Sequence, residues 1–414
     1  MPRDIKLMTL SLFLWGWGYG LYAYVFPLYI RSLGASPGQV GVVYSVMMVA
    51  LALSYIPGGV IADKYERKRT MILSWLVGVP APLLYYFARD YKVVAAASAL
   101  YSLSMIGYPA MNAYAAARAP AGMSGLVFGV INSGYAAGMI ASPILGGWLA
   151  QVIGTRNVFL ITFVFFLASV AVLCFVDQQA PSASSSRGSA HTEDAAAGYA
   201  GLLRQKRFAR FVVTYSCMAV AYYMVQPLIP QYLGYEMGTS FAFIGLTGSI
   251  MSLGQSVITV MLGRCADRWG TVVALGGNAL VFSAAMLGLV TARSLALLAG
   301  VLFLAGAFMA GQGVALAGVG EVLGGSPTGR AFGLFNLAVA ASSIVGPYAG
   351  GVLYERSPAV PFLACAAAFA AMSLVLLFCE PRPNRAGEVV HARRYARSGD
   401  SPSINSYLGG TRDA

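Results

Sequence analysis

The chain has 414 residues, 58% of them apolar and only 10% charged, with 48 glycines and a formal net charge of +12. Soluble domains carry about 25% charged residues, so one large water-soluble core is excluded and a polytopic membrane protein is indicated. The basic balance does not point to nucleic acid either. With both termini inside, 21 of the 27 Lys and Arg lie on the cytoplasmic side and 6 outside, which is the positive-inside pattern.

In chain order, apolar stretches of about 20 residues can each cross a hydrocarbon core about 30 Å thick. They place twelve spans at 7–30, 40–62, 70–88, 93–116, 126–151, 155–176, 208–233, 241–262, 271–291, 294–318, 331–353 and 358–379, numbered 1 to 12 below. Each is expected to be helical, because lipid offers no partner for an open backbone. Arg3 and Lys6 precede span 1 as in a signal peptide, but the apolar run is too long and lacks a small-residue cleavage site. The Ser-, Ala- and Gly-rich segment after span 6 reads as a cytoplasmic linker. The expected division is a six-helix bundle over 1–176, the linker over 177–207, a second bundle over 208–379, and a disordered cytoplasmic tail over 380–414. The fold class is thus all-α integral membrane, with twelve transmembrane helices in two pseudo-symmetric six-helix bundles.

The five cysteines are scattered without a Cys-x-x-Cys pair and read as small buried apolar fillers, and both histidines lie outside the spans. No metal site, cofactor or enzymatic chemistry is expected. No Gly-x-x-x-x-Gly-Lys-[Ser/Thr] loop occurs, so ATP-driven pumping within this chain is not expected either.

One unit occurs twice, 204 residues apart. Asp63 in Gly-Val-Ile-Ala-Asp-Lys is matched by Asp267 in Gly-Arg-Cys-Ala-Asp-Arg. Phe128-Gly129-Val-Ile-Asn132 is matched by Phe332-Gly333-Leu-Phe-Asn336, and Pro143 with Gly146-Gly147 by Pro347 with Gly350-Gly351. Several matches at one offset indicate an internal structural repeat.

After span 2 the sequence runs Gly59-Val-Ile-Ala-Asp63-Lys64-Tyr-Glu66-Arg67-Lys68-Arg69, and after span 8 Gly263-Arg-Cys-Ala-Asp267-Arg268-Trp-Gly270. An acid at a helix end followed by basic residues can pair with a neighbouring helix end, hold one face closed and release it when the halves rock. Anchoring by the positive-inside rule alone accounts for the basic residues but not for Asp63 and Asp267. Here the chain resembles the major facilitator superfamily, whose signature in this loop is Gly-x-Leu-Ala-Asp-Arg-x-Gly-Arg-Lys-Arg. It departs at Glu66, Ile61 and Lys64, and the second copy lacks the basic run. The resemblance implies a gating role for Asp63, Arg67, Arg69, Asp267 and Arg268.

Span 5 reads Gly129-x8-Gly138-x3-Ser142-Pro143-x2-Gly146-Gly147, and span 11 reads Gly333-x8-Ser342-x3-Gly346-Pro347-x2-Gly350-Gly351. Small residues at this spacing let helix backbones approach closely, and a proline inside a helix removes a hydrogen bond and favours a kink. Gly138, Pro143, Gly146, Gly147, Gly346, Pro347, Gly350 and Gly351 are therefore hinge and packing candidates; static packing is the plainer alternative. The pattern is similar to the superfamily's antiporter motif, which implies export of drugs or metabolites by antiport.

Proton-coupled exporters of that group commonly carry an acid in span 1 and an Arg in span 4. Here every charged residue falls at a span end, in a loop or in a terminus, and Leu103 stands where the Arg is expected. A charge at a helix centre costs about 2.5–3.5 kcal/mol on insertion scales, so a chain without one suits neutral, aromatic or amphipathic solutes. Helical spacing puts Trp15, Tyr19, Tyr22 and Phe26 on one face of span 1, Tyr101, Met105, Tyr108 and Asn112 on one face of span 4, and Tyr215, Tyr222 and Gln226 on one face of span 7. Tyr19 and Tyr222 are repeat mates at offset 203. The substrate-binding candidates are Tyr19, Tyr22, Tyr108, Asn112, Asn132, Tyr222, Gln226, Gln312 and Asn336. For each tyrosine, helix packing or the interfacial aromatic belt is the alternative.

Two transport readings result. The first is a secondary transporter that exports small neutral or amphipathic compounds, with proton antiport implied by the motif and opposed by the missing buried charges. The second is a facilitator of neutral solutes. A non-transporting sensor or scaffold is a third reading. The expected setting is the cell (inner) membrane, multi-pass, with both termini cytoplasmic. The expected partners are a small-molecule substrate and the lipid bilayer, with no nucleic acid and a monomeric chain.

Overall fold

A computed structural model describes residues 1–119, 123–178, 201–202, 204–292, 294–323 and 329–379. The linker's 179–200 and the tail expected over 380–414 lie outside the described residues. Among the described residues all regular structure is helical, and eleven helices are long and apolar enough to cross a membrane. Span 1, formed by Arg3–Ala23 and Phe26–Ser32, is not one of them. Gly16, Gly18 and Gly20, alternating with Trp and Tyr, dilute its hydropathy. It is nevertheless packed as a bundle member, with Gly16 against Tyr135 and Gly18 against Phe166.

The repeat extends to the helix caps. Ser36 caps span 2 by accepting from the Gln39 amide, with Gln39 returning the bond to the Ser36 amide. Its mate Ser240 caps span 8 on the Phe243 amide. Asp90 and Ser294, again 204 apart, cap spans 4 and 10. Such side chains satisfy donors that a helix start leaves orphaned. Gly34 and Gly238 precede the first pair of caps with φ of 87° and 64°, a left-handed turn that glycine enters without steric cost.

Helices divide into two kinds. Spans 2, 5, 8 and 11 run unbroken over Pro37–Lys64, Ser124–Ile153, Phe241–Trp269 and Gly329–Arg356, 28 to 30 residues each, or about 42–45 Å long. Pro143 and Pro347 lie inside such unbroken helices. Spans 1, 4, 7 and 10 are interrupted instead. Span 1 breaks at Tyr24–Val25, just before Pro27, and span 7 at Gln226–Pro227. Span 4 passes through a 3-10 turn, Ser104–Gly107, ahead of Pro109, and span 10 breaks at Gly306, between Leu295–Ala305 and Ala307–Leu323. Proline cannot donate the helical bond and disfavours helix at the residue before it, which accounts for the first three. Span 3 is also broken, between Arg67–Gly78 and Ala81–Phe87, at Pro80.

The unbroken helices make the seams between halves, and the seams obey the repeat. A methyl group added at Gly41 of span 2 would strike the Pro347 carbonyl of span 11, and one at Gly245 of span 8 would strike the Pro143 carbonyl of span 5. Gly147 meets Gly245 and Phe241, while its mate Gly351 meets Gly38 and Pro37. Beside these contacts Ser45 donates to the Ile344 carbonyl at 2.7 Å. All lie in the half of the molecule away from the chain termini. Toward the termini spans 5 and 11 are bare: Asn132, Asn336 and Leu337 are exposed, and a Cβ at Gly129 or Gly333 would meet nothing within 4 Å. The structure is therefore closed at the far face and open toward the termini. Two hydrophobic clusters fill the interior, one drawn from residues 5 to 176 and one from 208 to 376 joined by Leu28. Cys365 belongs to the second, but Cys174 and Cys217 are exposed rather than buried as the sequence suggested; both sit on outward faces of apolar helices.

Candidate functional site

A cavity of about 90 Å³ lies between the halves, lined by both. Its first-half wall includes Tyr19, Tyr24, Pro27 and Tyr44, and its second-half wall includes Tyr222, Gln226, Pro230 and Met251. The repeat mates Tyr19 and Tyr222, and Pro27 and Pro230, thus face one space. The helix breaks in spans 1 and 7 fall beside it, where the chain frees backbone groups only next to a cavity. Tyr222 is fixed by Phe308 of span 10, stacked at 4.3 Å between centroids. Tyr24 crosses from the first half, and its ring packs onto Gly248. No Asp, Glu, Lys or Arg is among the lining residues.

Span 4 does not line this central space. Tyr108 and Asn132 are hydrogen-bonded to each other at 3.1 Å and line a second cavity of about 180 Å³, set entirely within the first half. Tyr101 lines it too, and its ring stacks on Tyr19 at 5.8 Å with 8° between planes. This pair stands between the two spaces. Tyr22 turns away from both: it is 2% exposed and packs on Phe26, Tyr85 and Phe159 in the first-half core. Asn112 is half-buried and lines neither cavity. Gln312 lines neither cavity, and Asn336 is exposed on the open side of span 11.

The model of the Major Facilitator Superfamily matches residues 8–232 and 211–402. The chain belongs to the major facilitator superfamily. The multi-drug resistance efflux pump PmrA of Streptococcus pneumoniae is 27% identical over 262 residues, covering 59% of this chain and 62% of that protein. The multidrug resistance protein MdtG of Serratia proteamaculans is 27% identical over 253 residues, covering 59% and 61%. The matched stretch is thus under two thirds of either relative's length. Among solved structures, the nucleoside transporter NupG aligns with a TM-score of 0.72 at 15% identity, over 91% of this chain and 98% of that one. A bacterial homologue of the lysosomal transporter Spinster aligns at 0.66 and 15%, over 97% and 98%. These likenesses show the superfamily fold.

In this superfamily member the signature after span 2 is mostly helix, not loop. Asp63 occupies the last turn of Pro37–Lys64, and Asp267 with Arg268 the last turns of Phe241–Trp269. The departure at Glu66 has a structural counterpart. Gly270 has φ of 94°, whereas Glu66 has φ of −58° and begins span 3, so the first copy turns without a left-handed residue. Arg67 is buried and donates to the Ala113 carbonyl of span 4 at 3.3 Å. Arg69 pairs with Glu66 at 2.8 Å at an exposed position. Arg268 lies over Trp269, 5.5 Å from its ring centroid.

The glycine motif divides its labour. Gly138 and Gly146 face span 1 of their own half, at Phe13, Trp17 and Leu21; Gly346 and Gly350 face span 7 in the same way, at Val220 and Met224. Gly147 and Gly351 with the two prolines face the other half. Ser142, standing where the motif has Gly, is fully buried against Gly20, whose missing Cβ leaves room for the hydroxyl.

Two groups escaped sequence reasoning. Asp4, 3% exposed, accepts from the Tyr114 hydroxyl at 2.8 Å and pairs with Arg118 at 3.2 Å; Arg118 also reaches Asp177 at 3.9 Å. This ties spans 1, 4 and 6 together near the N-terminus, and it has no repeat mate to advertise it. The second group closes the far face. Glu355 accepts from the Ser36 hydroxyl and the Gly38 amide, Gln151 accepts from the Ala242 amide, and Arg31 donates to Gln231 at 3.3 Å while covering Tyr235. The constant offset of 204 relates Gln151 to Glu355 and would have found that pair.

Proposed function

We propose that the chain is a secondary transporter that exports small neutral or amphipathic compounds by alternating access. The observation that carries this is the central cavity, aromatic and uncharged, walled by repeat-related residues of both halves and sealed at one face only. With the termini cytoplasmic, as the distribution of Lys and Arg supports, the open side faces the cell interior and the seam at Gly147 and Gly351 faces outward. Asp63, Arg67, Arg69, Asp267 and Arg268 then close the inner face in the alternate state, and the glycine helices carry the movement. Substrate meets Tyr19, Tyr222 and Gln226. Similarity to the multidrug efflux pump PmrA and the multidrug resistance protein MdtG supports efflux of such compounds. The chain acts as a monomer in the inner membrane.

One observation favours a second reading. No carboxylate lines the cavity, which suits a facilitator of neutral solutes better than a proton antiporter using buried acids. Proteoliposomes with an imposed pH gradient separate the two. Concentrative flux that follows the gradient supports antiport; flux of a verified substrate that ignores the gradient removes it.

A further inference from the structure

A groove of about 510 Å³ lies at the seam between spans 2 and 11, apart from the central cavity, with which it shares no lining residue. Span 2 contributes Val42, Val46, Val49 and Leu53, at offsets of 4, 7 and 11 that keep them on one helix face. Span 4 contributes Ala99 and Leu103, and span 11, from the other half, contributes Tyr348. The face is open to the membrane, with Leu53 59% and Tyr348 54% exposed. Ser45 also lines the groove, but its hydroxyl is engaged by the Ile344 carbonyl at 2.7 Å. The lining therefore suits hydrocarbon.

Its length and depth match one leaflet. Val42 to Leu53 covers about 16 Å of helix, and half a hydrocarbon core is about 15 Å. Pro37–Lys64 is about 42 Å long, so a core of about 30 Å centred on it leaves about 6 Å outside at each end. The groove starts about 8 Å from the far end of span 2 and stops about 24 Å from it, just past the midplane. The repeat mate is built differently. Ala50, which lines the groove, and Ala99 correspond to Gly254 and Phe303. A methyl at Gly254 would strike the Phe303 carbonyl, so spans 8 and 10 meet backbone to backbone, and Phe303 brings a half-buried ring where span 4 has a methyl.

We infer that this groove binds one acyl chain of a phospholipid in the leaflet away from the termini, and that the bound chain favours the state closed at the far face. An apolar lining, a length of one leaflet and a course along a spanning helix fit a lipid chain, which the bilayer supplies in excess. Span 2 and Tyr348 belong to different halves, so the groove keeps this form only while the seam at Gly41 and Pro347 is shut. A ligand that binds one state and not the other shifts the population toward the first. The bias rests on the alternating-access reading; the binding does not.

The test uses phosphatidylcholine with a photoreactive diazirine midway along one acyl chain, at trace level in proteoliposomes of the full-length protein. After illumination, mass spectrometry maps the labelled residues. Labelling of 42–53 is expected to exceed that of the matching 246–257 on span 8 about five-fold, and Ala99→Phe, which supplies the ring found at Phe303, removes the excess. Val49→Trp, at an exposed position on span 2, removes it independently. Equal labelling of the two stretches, or an excess that survives both substitutions, shows ordinary boundary lipid and overturns the site. For the bias, spin-label distances between residues introduced at 35 and 354 are compared in detergent before and after phosphatidylcholine is added. The closed-to-open ratio is expected to rise about three-fold in the parent protein and to stay unchanged in Ala99→Phe. A ratio that lipid leaves unmoved while Glu355→Ala moves it overturns the bias. A distance that no condition moves contradicts alternating access itself, and the bias with it, while the labelling result stands on its own.

Discussion

Glu355, at the end of span 11, accepts a 2.9 Å hydrogen bond from the amide of Gly38 in the first turn of span 2, across the seam between the halves. Its repeat mate Gln151 does the same to the Ala242 amide of span 8 at 3.3 Å. One geometry thus closes the far face twice, once with a charge and once without. A carboxylate at a helix N-terminus gains from the exposed amides and the helix dipole, so the Glu355 contact is the stronger. Glu355→Ala is expected to weaken closure by about 1 kcal/mol, roughly a five-fold shift of population toward the state opened at this face, while Gln151→Ala shifts it less. Spin-label distances between residues introduced at 35 and 354 read the populations directly.

The seam glycines make a sharper distinction. A methyl at Gly147 strikes the opposite half, at Phe241 and Gly245, while a methyl at Gly146 strikes Leu21 of its own half. Overpacking costs about 1–3 kcal/mol. Gly147→Ala should therefore bias the molecule toward opening at the far face and slow transport several-fold with thermal stability little changed. Gly146→Ala should lower the melting temperature in every state. Thermal unfolding and flux on the two variants together check this.

Asp4 holds Tyr114, Arg118 and the Asp177 amide at once. Removing one member of a buried charged cluster leaves its partners unsatisfied. Asp4→Ala is expected to cost about 2 kcal/mol and Asp4→Asn less, because Asn can still accept from the Tyr114 hydroxyl. Melting temperatures of the two variants in detergent provide the comparison.

At the gate, Asp63→Ala is expected to impair transport without preventing membrane insertion. Normal yield with reduced turnover is the outcome sought; unchanged kinetics would show that the superfamily's role for this residue does not carry over. In the central cavity, Gln226→Leu removes the amide while keeping the bulk, and should raise KM for a polar-tipped substrate with little change in turnover.

Much of this was legible in the sequence, because span length and a repeat at constant offset depend on local composition. The repeat relates Tyr19 to Tyr222, and the two stand on opposite walls of one cavity. Helical spacing did not tell Tyr19 from Tyr22. Three residues on a helix turn the side chain by enough to send Tyr22 into the Phe159 cluster, and only the neighbouring helices decide which way is inward. The prolines illustrate the same limit: Pro143 and Pro347 sit in unbroken helices, while the breaks fall near Pro27, Pro109 and Pro227. Pro143 and Pro347 are held in seams by Gly245 and Gly41, and that constraint lies in the partner helix. The Asp4 cluster was hidden because it joins residues 4, 114, 118 and 177, which no periodicity connects.

The account rests on the far face opening and closing with each cycle. Cysteines placed at Ser36 and Glu355, whose side chains now touch through a hydrogen bond, test it most directly when the pair is oxidised in proteoliposomes. The account predicts that the crosslink stops flux of a verified substrate, that a reductant restores it, and that neither single variant responds to oxidation. Undiminished flux through fully crosslinked protein would contradict it.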